Sequence, residues 1–366
     1  MTATSSRRLA RESTPAATAG RNTTVRARAL VLAAAAVTGS GGLAFGLSVT
    51  QPPPMMDMAP ESPVIQFGIP VVRLIDNTAG VAAGGLALLL LFLPRSRWYE
   101  EAVRARTKAR QAAVRVGLVW AAAALGALWS QAAELSPNGL GASVGEVIGY
   151  AVHITSGQAL LVSMAAAICY SVTYLGPGTS GQHEKKTRAL GPVIGLPLAA
   201  VGLVAVPLTG HASQGDAVAL TMTAIGLHVV GAALWVGGLG AIFLLAGAQH
   251  ELLAIVLPRF STVAGICIFT VAVSGVIVAV DHLTMTTGLT VSGLFGNLFG
   301  TGYGVLVIGK TLCCGALACT GGYIRQKLLP GIVRFQRTPL TAWAGTELTI
   351  MAVALGLATA LARAPM

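Results

Sequence analysis

Four ionisable side chains interrupt long apolar runs in this chain: Asp76, His153, His228 and Lys310. Each follows the start of its run by about nine residues, which at the rise of an α-helix is roughly 13–14 Å. Ionisable groups at such depth in an apolar helix are costly and mark functional positions by default. Arg73 lies one turn before Asp76 and can pair with it. Further candidate ligands lie between the runs. His211 and Asp216 share one connection, Asp281, His282 and Met285 another, and Met55-Met56-Asp57-Met58 a third. Neutral imidazole binds copper in either oxidation state, and thioether sulfur prefers Cu(I). Histidine and methionine facing an oxidising compartment therefore make a copper-handling set, with His153, His211, His228, His282, Met55, Met56, Met58 and Met285 as the candidate ligands.

A plainer role stands beside each of these. An intramembrane histidine also serves as a hydrogen bonder between helices. Asp76 with Arg73 also reads as a structural ion pair. Lys310 cannot bind metal while protonated, but it can neutralise a carboxylate or attract an anionic partner. Cys169, Cys267, Cys313, Cys314 and Cys319 all fall inside apolar runs, which argues against a disulfide framework. Thiolates hold Cu(I) tightly, so an inward relay from His and Met to Cys is one reading, and small apolar packing is the other. Glu347, on the last run, needs a partner, and Lys327 is a candidate.

The elements that position these residues follow from composition. Apolar residues make up 54% of the chain, charged residues 10%, and the mean hydropathy is +0.73. A surface that apolar needs lipid as its solvent. Windows long enough to span a bilayer fall near 29–48, 67–93, 113–133, 144–174, 190–208, 219–246, 261–280, 301–322 and 344–363. The expected fold is all-α, a transmembrane helical bundle of about nine spans. It comprises a basic, disordered tail over 1–28, an anchor over 29–48 and a multi-span core over 65–366. Lys plus Arg number six in 1–28, six in 94–112, three in 175–189, one in 247–260 and four in 323–343, while the intervening connections carry none. By the positive-inside rule the N-terminus is cytoplasmic and the C-terminus extracytoplasmic. That places the histidine and methionine set near the outer face. The net charge of +11 is thus a topology signal, aided by anionic lipid, and not a nucleic-acid footprint. The first span reads as an uncleaved anchor, since no A-x-A-like site follows it. No Walker A loop, dinucleotide fingerprint or nucleophile elbow is present, so neither an ATP-driven pump nor an enzyme is indicated.

Residues 228–239 read HVVGAALWVGGL, preceded by Gly210-His211-Ala212 and followed by Arg259-Phe260-Ser261, Gly309-Lys310-Thr311-Leu312 and Glu347. This order resembles the CopD-type copper-resistance membrane proteins over roughly residues 65–363. The group also includes copper-uptake proteins with a fused CopC-like domain. The resemblance makes His228, Trp235, Gly237 and Gly238 the family signature, with His211 in the family's GHA element. It implies eight spans, copper movement across the bacterial cytoplasmic membrane, and a small periplasmic CopC-like partner. The additional N-terminal span is similar to actinobacterial members, where this module often precedes a membrane domain for cytochrome oxidase assembly. Copper delivery to an oxidase is therefore implied alongside detoxification. Two alternatives stand against copper transport. One is a b-type cytochrome with His153 and His228 on either side of a haem iron. The other is a scaffold for oxidase assembly, in which the polar residues serve packing.

Overall fold

Peptide groups in an apolar run have no water to bond, so each run satisfies itself as a helix. The computed structural model describes residues 15–50, 63–94, 100–175, 182–209, 218–247, 249–285, 287–334 and 340–362. Among these there is no strand, and nine helices are long and apolar enough to cross a membrane. In chain order the helices are α1 (Pro15–Thr50), α2 (Pro63–Phe92), α3 (Glu100–Leu135), α4 (Val144–His153), α5 (Thr155–Leu175), α6 (Gln182–Ala205), α7 (Val218–Leu245), α8 (His250–Thr284), α9 (Val291–Gly300) and α10 (Gly302–Tyr323). A π-helical turn, Ile324–Leu328, carries α10 into α11 (Leu329–Val333), and α12 (Leu340–Leu361) follows.

Three elements depart from the sequence reading. The run expected to cross the membrane as one helix over 144–174 breaks at Ile154, whose backbone is extended (φ −105°, ψ 130°). The break lets Gly157 press against the Tyr150 carbonyl, a place with no room for a side chain. Next, α9 folds within the connection after α8, and Thr290 starts it by accepting a hydrogen bond from Gly293 N–H. Finally, α1 begins at Pro15, inside the segment expected as a disordered tail. Pro and Ala in its first turns favour the helix.

Small residues set the packing. Helices α2 and α7 cross where Gly85 meets Gly237 so closely that a Cβ on either would overlap the other's backbone. Gly238, beside it, receives the Phe260 ring and Leu88. Helix α2 is the hub, lying against α3, α6 and α7, with lighter contact to α8 and α12. Helices α3, α5 and α6 complete an N-terminal half around it. The C-terminal half joins α8 to α7 and α10 to α12, and α1 lies along α12 with Gly39 against Gly356.

Four arginines of the basic segments gather at one end, where they bond to helix ends. Arg106 Nη1 donates to Leu93 O at 2.9 Å, Arg259 Nη1 to Phe92 O at 2.9 Å, Arg110 Nη2 to Tyr174 O at 3.3 Å and Arg28 Nη1 to Leu244 O at 3.0 Å. These carbonyls close α2, α5 and α7, where unpaired acceptors and the negative end of the helix dipole favour cations. The same arginines that mark topology are thus the C-caps of the helices ending there.

Candidate metal-handling site

The Gly85–Gly237 crossing fixes the level of the first two candidates. Helices α2 and α7 run in the same direction, and Asp76 and His228 each precede the crossing glycine by nine residues. They stand at one depth but serve different neighbours. The His228 imidazole turns toward α8, where its Nδ1 lies 3.1 Å from Val271 O and 3.2 Å from Ser274 Oγ. Its ring lies over Gly275, where an added Cβ would come within 3.3 Å of Cε1. Ser274 Oγ in turn donates to Thr270 O at 2.5 Å. A carbonyl can only accept, so the bond to Val271 O places the proton on Nδ1. The Nε2 lone pair is then available to a metal, and a backbone carbonyl on the opposite nitrogen is the usual support of a ligating imidazole.

Lys310, half-buried on α10, comes close enough to His228 to act on it electrostatically. Helix register accounts for the meeting. Toward the other end of the bundle, His282 on α8 stacks on Tyr303 of α10, with centroids 5.1 Å apart. These two helices are antiparallel. Seven residues inward from that stack lie Gly275 on α8, under His228, and Lys310 on α10. His282 therefore stands about 10 Å from the level of His228 at helical rise, away from the arginine-capped end. Met285 follows His282 by one turn, its N–H 3.5 Å from His282 O, and its side chain is half-buried. Cys314 lies one turn inward of Lys310 and interacts with it, and Cys267 is buried on α8. Glu347 is buried on α12 and accepts from Thr320 Oγ1 at 3.3 Å. Lys327, its expected partner, is exposed.

The remaining candidates divide. His153 ends α4, ahead of the fourth span, and is exposed; its helix packs on α3 and α5. It therefore stands toward the end of the bundle opposite the arginine-capped one, not at the depth of Asp76, and the structure does not bring it to His228. Asp76 and Arg73 interact, as the sequence suggested, but their surroundings are on α3. Trp235 is buried in the core beside the glycine crossing, so the signature positions Trp235, Gly237 and Gly238 shape the helix that carries His228 and do not themselves present ligands. His211, Met55, Met56 and Met58 lie outside the described residues. Among the described residues, no three His, Cys, Asp or Glu side chains converge to hold a metal ion. Sequence reasoning missed Ser274 and Tyr303. Ser274 was findable as the lone hydroxyl in the run Val271-Ala272-Val273-Ser274-Gly275. Nothing in the sequence pointed to Tyr303.

A bundle of membrane-length helices with an imidazole bonded to a backbone carbonyl in its interior defines a polytopic membrane protein. Two family models match the chain: Copper resistance protein D-like, N-terminal domain, over residues 62–222, and Copper resistance protein D over residues 254–361. Between them they cover most of the chain, which belongs to the copper resistance protein D family. The family implies a function in copper resistance or transport. No curated protein and no solved structure matches the chain.

Proposed function

We propose that this protein carries copper across the bacterial cytoplasmic membrane, with His228 as the ligand in the middle of the path. The supporting observation is the Nδ1 bond to Val271 O, which leaves Nε2 as a lone-pair donor next to α8 and α10. With the N-terminus cytoplasmic, the His282–Met285 turn faces outside and offers imidazole and thioether above His228. His211 and the Met55, Met56 and Met58 group would extend that outer set, and a CopC-like protein is the fitting donor or acceptor there. Inward, Cys267 and Cys314 continue the line. Copper is cargo in this scheme, so each stop has to bind and release, and stops with few ligands suit passage. The Lys310 ammonium beside His228 opposes a resident cation and keeps that stop weak. No nucleotide hydrolysis or covalent chemistry enters the scheme.

Deletion of the gene should change cellular copper and copper tolerance, and His228→Ala should reproduce the deletion while the protein still reaches the membrane. Wild-type copper content and tolerance in the His228→Ala strain would overturn the role of His228.

A further inference from the structure

Asp76 has no part in the copper path, yet it is a buried carboxyl in the N-terminal half. It is 8% exposed, and its Oδ1 has no hydrogen-bond partner among the described residues. A buried carboxylate oxygen without a partner carries its desolvation cost unrelieved. Two more orphaned polar atoms lie nearby. Trp120 on α3, fully buried, has no hydrogen-bond acceptor within bonding geometry for Nε1, although the indole lies close enough to Asp76 to interact with it. Its ring is wedged between Gly80, one turn inward of Asp76, and Gly202 of α6. Ser163 on α5, 1% exposed, also has an unpartnered Oγ.

Register places Ser163 in the same layer. Tyr170 Oη donates to Ala83 O at 2.7 Å and so ties α5 to α2, which run in the same direction. Seven residues outward from each partner are Ser163 and Asp76. They share a level to within about one helical turn.

We propose that Asp76, beside Arg73 and Trp120, is a proton-binding site of this protein, separate from the metal path. The neighbours select for the proton. The Arg73 guanidinium stands beside the carboxyl and repels a metal cation, whereas a proton becomes part of the group it binds. The other elements packed on α2 bring no competing charge to this level. Helix α6 faces it with Leu203, His228 on α7 is turned to α8, and Arg259 of α8 and Glu347 of α12 lie toward the basic end. Protonation forms one O–H bond on Oδ1, taking the proton from a hydronium ion and leaving water; release reverses it. The ionised carboxyl is attracted to Arg73, with the Trp120 indole beside it, and protonation removes that charge. On the outer side the next polar groups are already linked. Tyr150 Oη donates to Gln131 Oε1 at 3.0 Å and lies 2.6 Å from Ser156 Oγ, seven residues outward of Ser163.

The test is infrared difference spectroscopy of the purified full-length protein in lipid nanodiscs, between alkaline and acidic pH, without copper. Wild type should show a protonated-carboxyl band that shifts in heavy water. Asp76→Asn should lose that band, and Glu347→Gln should keep it. Trp120→Phe, which removes the N–H beside the carboxyl, should change the band's frequency. If Asp76→Asn does not fold, the Trp120→Phe spectrum decides alone. A band unchanged in Asp76→Asn, or an unmoved band in Trp120→Phe, overturns the proposal. Because no metal is present, either result is independent of the copper path.

Discussion

The two halves of the bundle solve the problem of polar groups in lipid differently. In the N-terminal half, α2 has 61% of its most apolar stretch buried, and Asp76, Trp120 and Ser163 are enclosed with bonding atoms left over. In the C-terminal half, the corresponding stretches of α8 and α10 are only 17% buried, yet two of the deep polar groups there have partners: His228 has Val271 O and Ser274, and Glu347 has Thr320. Close packing holds a costly group in place and leaves it chemically unfinished. Loose packing requires each polar group to be braced individually.

Three substitutions sharpen that contrast, from the largest expected effect to the smallest. Gly237→Leu drives a side chain into the Val81 and Gly85 backbone at the crossing of the two halves. It should cost more than about 3 kcal/mol and lower the thermal midpoint of the purified protein sharply. Gly315→Leu, on the open face of α10 where nothing lies within 4 Å of an added Cβ, should leave the midpoint unchanged. Equal effects at the two glycines would mean that the halves are not packed as differently as described. Lys310→Met removes the cation beside His228. Copper binding to the purified protein should tighten by about tenfold or more, the effect of removing one nearby like charge in a partly shielded site. Unchanged affinity would remove Lys310 from the path.

The smallest effect lies at the rim of the N-terminal half. Glu146 accepts from Ser143 N–H at 2.6 Å, Ser143 Oγ at 2.7 Å and Ser136 Oγ at 2.8 Å. These bonds, the Ser143 backbone bond foremost, hold its carboxyl below the usual glutamate range. The stabilisation they give α4 is fully present above the ordinary value of about 4.3 and is lost as pH falls through the lowered one. Glu146→Gln should lower the thermal midpoint slightly at neutral pH and flatten it over that acidic window, so that the two proteins converge as pH falls. A midpoint profile parallel to wild type would contradict the capping role.

Hydropathy and the alternation of Lys and Arg made the spans legible, because both are properties of a whole segment. The arginine caps on α2, α5 and α7 explain why that alternation is also a folding signal. The break at Ile154 was not legible, because no Pro or Gly stands at the break itself. The break goes with Gly157 lodging against the Tyr150 backbone, a contact that exists only after folding. Helix α9 could have been found from its threonine caps, Thr290 and Thr301. The even spacing of Asp76, His153, His228 and Lys310 suggested one layer, and the fold separates it. His228 and Lys310 meet, Asp76 faces α3, and Ser163 occupies the level expected of His153. Periodicity gives the depth of a residue but not the helix it turns toward; the glycine crossing and the His282–Tyr303 stack decide that.

X-ray absorption on copper-loaded, purified protein tests the central claim most directly. The account predicts an imidazole nitrogen in the copper shell that disappears in His228→Ala and persists in His153→Ala. A shell unchanged by His228→Ala would contradict it.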